Sequence, residues 1–190
     1  MAITINGAGT ITGVSAGGLP DGSVDADTLA STLDLSGKTM TYGLTDSDLS
    51  SVTTGKIIQI VNADYAGQTV TSSSSFQDTG LSASITPTSA SNKILVEVHQ
   101  AGLEKRSSDT VIDVSLFRDS SEIQSFLIDG GWTADSNPIR FGGAGVTKLD
   151  SPNTTSSVTY KTMFRGTGSA DVRVQSSGSR SSITLYEVAV

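Results

Sequence analysis

The segment NKILVEVHQ, residues 92–100, decides the fold class. Ile94, Val96 and Val98 fall on one side of an extended chain, with Glu97 and His99 on the other. A helix would scatter these residues around its circumference, so the segment reads as a half-buried β-strand. The pattern recurs on both sides. In GLSASITP (80–87), Leu81, Ala83 and Ile85 share a face and serines occupy the other. In DTVIDVSLFR (109–118), Ile112, Val114 and Leu116 oppose Asp113 and Ser115, which are expected to face solvent.

The same punctuated character runs through KIIQIV (56–61), QTVTS (68–72), EIQSFLI (122–128), IRFGGAGVTKL (139–149), SSVTYKTMFR (156–165), ADVRVQ (170–175) and SSITLYEV (181–188). Turn-forming clusters of Gly, Ser, Asp or Pro separate them, which makes about ten strands beyond residue 55. Composition agrees. The 190 residues include 31 Ser and 24 Thr; Thr favours strands, and Ser with Gly favours connections. The expectation is an all-β protein, an antiparallel β-sandwich of jelly-roll type.

Residues 1–55 have a different character. Asp21, Asp25, Asp27, Asp34, Asp46 and Asp48 stand against Lys38 alone, and Tyr42 is the only aromatic. Such a segment cannot bury enough apolar surface to offset its own ordering entropy. It is expected to be an extended, mostly irregular arm that anchors and trimerises the protein, with residues 56–190 as the sandwich domain. Ile3, Ile5, Ile11, Val14 and Leu19 are its candidate anchors. The stretches AITI (2–5) and GTITGV (9–14) would add as short strands to a neighbour's sheet edge. DADTLASTLDLSG (25–37) allows one short helix, capped by Asp25 or Asp27 and ended by Gly37. TDSDLSSVTTG (45–55) reads as the hinge.

Charge and composition exclude several function classes. The net charge of −7 and a sequence pI near 4.5 argue against nucleic acid and anionic membrane surfaces as partners. With no cysteine, a thiolate nucleophile and a Cys-based metal site are excluded. No apolar run approaches the ~18 residues of a membrane span. No basic region followed by an apolar core marks a secretory signal.

A resemblance adds to this. SSSSFQDTGLSASITPTSASNKILVEVHQ (72–100), the closing SSITLYEVAV (181–190) and the opening ITINGAGTITGVSAGGLPDGSVDADTLA (3–30) resemble segments of small fibre-like and capsid-decorating virion proteins of tailed bacteriophages. That resemblance implies a homotrimeric, non-enzymatic component displayed on the particle surface, assembled in the host cytoplasm. Its partners would be the major capsid protein or tail components. The resemblance carries over no binding residues.

The candidate chemistry is sparse, and no cofactor or metal is expected. His99 is the only histidine; a triad with Asp113 lacks any GxSxG elbow, and an outward-facing strand residue is the plainer reading. Glu97 with Asp113 would mimic a glycosidase pair only if the two flanked a sugar. FGGAGV (141–146) is neither GxGxxG nor a P-loop and reads as a bulge or close backbone approach. The acidic pairs at 25–27 and 46–48 lack calcium-loop spacing and read as caps. Asn153–Thr155 fits a glycosylation pattern but reads as a turn.

DGGWTADSNP (129–138) leaves more over. It holds the only tryptophan, Trp132, among Asp129, Asp135 and Asn137, in a loop too long for a tight hairpin. These four are the candidate glycan or interface contacts: an indole suits stacking on a sugar ring, and equally packs against a neighbouring subunit or caps the sandwich. A trimeric lectin unrelated to phage and a polysaccharide hydrolase are the remaining alternatives.

Overall fold

The structure is a computed structural model, and it describes Thr4–Ile5, Ile11–Thr12, and residues 56–168 and 170–190. The chain divides between Leu49 and Ser50. In the first part, β1 (Thr4–Ile5) and β2 (Ile11–Thr12) pair antiparallel, Thr4 opposite Thr12 and Ile5 opposite Ile11. These two strands, expected to add to a neighbour's edge, pair with each other. Ile3, Val14, Leu19, the 25–37 helix, the acidic pairs at 25–27 and 46–48 and the 45–55 hinge lie outside the described residues.

The second part is built from β3 (Ile57–Tyr65), β4 (Thr69–Thr71), β5 (Gln77–Ile85), β6 (Lys93–Ala101), β7 (Glu104–Lys105) and β8 (Val111–Arg118). It continues with β9 (Ser121–Gly130), β10 (Ile139–Arg140), β11 (Gly143–Asp150), β12 (Val158–Thr167), β13 (Val172–Val174) and β14 (Ser181–Val188). Among the described residues there is no α-helix, only a 3-10 turn at Ser176–Gly178. Two four-stranded antiparallel sheets form a sandwich, one ordered β11-β6-β14-β3 and the other β5-β12-β8-β9. Each connection between consecutive long strands crosses from one sheet to the other, except the hairpin β8–β9.

The alternation seen in the sequence is what drives this packing. Leu81, Ala83, Ile85, Leu116, Val158 and Tyr160 from one sheet meet Ile94, Val96, Val98, Ile183 and Leu185 from the other in one buried cluster. A second cluster, Leu103, Ile112, Val114, Phe164, Val172 and Val174, fills the far end. There the four short strands pair as a third sheet, β10-β7-β13-β4. Fully burying each such side chain stabilises the fold by roughly 1.5–3 kcal/mol.

Between the two clusters runs a polar seam. The Thr79 and Thr162 hydroxyls lie 2.6 Å apart, Thr162 donates to Gln100 Oε1 at 2.7 Å, and Gln100 Nε2 donates to Ser181 Oγ at 3.0 Å. Ser181 Oγ also accepts from the Ala101 amide and Gln175 Nε2. The seam links both sheets through the interior. At the near end, the buried Glu187 carboxylate accepts from the Thr88 amide and hydroxyl, Asn92 Nδ2 and Gln59 Nε2.

The register fixes which loops share an end. Ile57, Val188 and Lys93 lie level across one sheet, with Asp150 one residue further in, opposite Ile94, so the chain enters the sandwich at Lys56 and leaves it at the same end. Residues 66–68, 102–110, 129–142 and 168–180 connect strands at the opposite end.

Two expectations need correction, and one short strand was not predicted. IRFGGAGVTKL is not one strand: Gly142, at φ 87°, breaks it into β10 and β11. β7 was invisible as a two-residue strand among charges. Asp113 and Ser115, expected to face solvent, are buried, so β8 is covered on both faces. The cover is local. Phe76 packs edge-on against Phe117 at 5.3 Å, and the Arg165 guanidinium lies over the Phe76 ring at 4.7 Å.

Candidate functional site

The loop 129–138 sits at the end of the sandwich away from Lys56, between β9 and β10. Its shape is set from both sides. Asp129 takes a left-handed backbone (φ 53°), and its amide donates to Asp113 Oδ1. Asp113 is itself ion-paired to Arg165 at 2.9 Å. Gly131 follows at φ 75°, where a Cβ would sit 2.5 Å from the Phe141 ring; only glycine satisfies both demands. Beyond Trp132, Thr133 O accepts the Asp109 amide, and Asp135 Oδ1 accepts both the amide and side chain of Asn137.

The underside is held by a buried lysine. Lys105 Nζ donates to Ser107 O at 2.9 Å and Asp135 O at 2.5 Å. Next to it, the buried Glu104 carboxylate binds Arg106 at 2.6 Å and Arg140 at 3.0 Å. Burial pushes the Glu104 carboxyl up, but hydrogen bonds and charge from the two arginines outweigh it and hold it below the usual carboxylate range. Sequence reading missed Glu104, Lys105, Arg106 and Arg140. The run EKR after Gly102 was the only available signal, and nothing local distinguishes a buried lysine from a solvated one.

The four predicted contacts fare differently. Trp132 is 66% exposed and belongs to neither core cluster, so it does not cap the sandwich. Asp129 is exposed beside it in the chain. Asp135 and Asn137 are exposed but bond to each other. The result is a hydrogen-bonded loop with an exposed indole, whose neighbours in the chain include exposed carboxylates and an amide. Chemically it can stack on a flat or ring-shaped polar group and hydrogen-bond its rim.

The other candidates separate. Glu97 and His99 face outward from β6, while Asp113 lies on the outer side of the other sheet, so neither the carboxylate pair nor the triad is assembled. FGGAGV forms the bend at Gly142, and Asn153, at φ 54°, turns between β11 and β12. Among the described residues no three His, Asp or Glu side chains group as metal ligands, and no helix is long and apolar enough to cross a membrane. Neither a scan against protein-family models nor a search of curated proteins found a match to this chain.

Proposed function

We propose that this chain is a structural virion protein of a tailed bacteriophage: a homotrimeric head-decoration (cement) or fibre protein. On this reading the N-terminal arm anchors it to the particle and the sandwich, a jelly roll, projects from the surface. The strand order supports the jelly roll, since eight long strands in two sheets exchange sheets at every connection but one. The resemblance of residues 3–30, 72–100 and 181–190 supports the virion setting. The single observation that carries the anchor role is polarity: the arm joins the sandwich at Lys56, and the presented loop 129–138 lies at the opposite end. A body tethered at one end displays the other. Three joined copies would raise attachment strength without new contact types.

Deleting residues 1–55 tests this. Both core clusters lie between Leu81 and Leu185, so the truncated body is expected to keep its β-sheet circular dichroism and cooperative melting. It is expected to vanish from purified particles. Its retention there refutes the anchor. Imaging intact particles then separates a shell position at high copy number from a tail position at low copy number.

A second reading, a short tail fibre binding a host-surface glycan, is favoured by the exposed Trp132 alone. Trp132→Ala is expected to change stability by less than ~0.5 kcal/mol, as exposed substitutions do, and to abolish glycan-array signal. Unchanged or absent binding ends the reading.

A further inference from the structure

The two outer faces of the sandwich differ. On one, the outward residues of β8 are buried beside Phe76, Phe117 and Arg165, while those of β5 are exposed serines. The other, the outer face of β11-β6-β14-β3, is bare. Its rows follow from the register. Leu149, Leu95, Tyr186 and Ile60 stand side by side across all four strands. Leu149 is 50% and Ile60 59% exposed, and Ile57 and Ile58, on the same edge strand as Ile60, are exposed too. The next row is Thr147, Glu97, Thr184 and Asn62; the one beyond is Gly145, His99, Ser182 and Asp64. Gly145 has no side chain there, and the face dips into a hollow lined by Glu97, His99, Thr147, Ser182 and Thr184.

We infer that this bare face is where a second copy of the chain docks, the contact repeating about a threefold axis. This rests on the homotrimer reading and adds the surface that the subunits bury. An apolar row ending in a hydroxyl-rich rim is the anatomy of a subunit contact. Gly145 is itself set by its own sheet, where a Cβ would sit 2.9 Å from Val98 O, and its missing side chain leaves the hollow open to a partner. Size agrees. Four strands ~4.8 Å apart and eight residues long make a face of roughly 500 Å² in projection, the order needed for the ~800 Å² of accessible surface a stable interface takes from each partner.

Geometry favours a copy of the same chain over another occupant. The stripe runs across the strands at one height near Lys56. Three sandwiches with strands along a common axis bring their stripes together as one apolar ring. The same arrangement brings the three Lys56 ends together and places all three 129–138 loops at the other end. The stripe itself carries no charge, which lets chains of net charge −7 approach one another.

The test is the oligomeric state of the full chain by sedimentation at ~10 µM. The wild type is expected to be a trimer, and the double variant Ile60→Lys/Leu149→Lys a folded monomer, its association weakened at least a hundredfold by desolvated charge at the contact. Val70→Lys, on the small third sheet, is expected to remain a trimer. If the double variant folds and stays trimeric, this face is not the interface, and the homotrimer reading survives. If the wild type is monomeric, both fall. Should the double variant not fold, Ile60→Cys/Leu149→Cys in this cysteine-free chain gives the second readout: oxidation should link chains into dimers and trimers. A trimer that does not cross-link overturns the proposal.

Discussion

Glu187→Gln will lower the stability of the protein by about 3 kcal/mol at pH 7 and flatten its response to acid. Glu187 is fully buried, yet four donors from three residues converge on its two oxygens at 2.6–2.8 Å. Burial alone would push the carboxyl up. Hydrogen bonds from Asn92, Gln59 and Thr88 outweigh it and bring the pKa down to about 2, from an ordinary 4.5. A carboxyl depressed in the folded state contributes stability that is fully present above its unfolded pKa and is lost as pH falls through the folded value. The window here is therefore about pH 4.5 down to about 2, and the depressed Glu104 carboxyl adds loss in the same direction. At ~1.4 kcal/mol per pKa unit the shift is worth about 3 kcal/mol. Glutamine presents an amide donor to a cluster of donors, and Gln59 is already bonded to Thr86 O, so the cluster cannot easily reverse. Urea unfolding at pH 7 and pH 3 measures both effects. Equal midpoints for the variant and the wild type at pH 7 would falsify the assignment.

Gln100→Leu will cost about 2–3 kcal/mol, although it replaces a polar residue with an apolar one of similar size in the core. The change leaves the Thr162 hydroxyl without its acceptor and removes one donor from Ser181 Oγ. Buried groups left without partners cost about 1–3 kcal/mol each, more than the bonds they formed were worth. Thr162 retains Thr79, 2.6 Å away, which limits the loss. Adding Thr162→Val to Gln100→Leu should therefore cost less than the sum of the single changes, with a coupling near 1 kcal/mol. Additive costs in the double-mutant cycle would show that the seam is three independent contacts and not one network.

Much of the strand pattern was legible in the sequence because the signal is local. Leu81, Ala83 and Ile85, and Ile94, Val96 and Val98, are buried as their alternation requires. Glu97 and His99 stand outside. The pattern failed at β8, where Asp113 and Ser115 have the spacing of a solvent face yet lie beneath a Phe76 lid that begins some forty residues earlier. It said nothing of Lys105, whose burial depends on carbonyls of Ser107 and Asp135. The loop carrying Trp132 was visible as a loop, and its exposed indole rules out one of the three roles expected of it, capping the sandwich. The supports under it, Glu104, Arg106, Arg140 and Asp113, were not visible, since charge in a short connection looks the same whether it is solvated or paired.

By itself, then, the sequence determined that residues beyond 55 form β-strands and which side of most of them is apolar, because alternation acts between adjacent residues of one chain. The tertiary structure alone decided which strands share a sheet, which hydroxyls and carboxylates are buried, and which apolar side chains line up across an outer face. Those outcomes depend on pairings such as Thr79 with Thr162 and Gln100 with Ser181, some eighty residues apart in the chain. A polar group can be buried only where a partner is brought to meet it, and that meeting is a property of the fold.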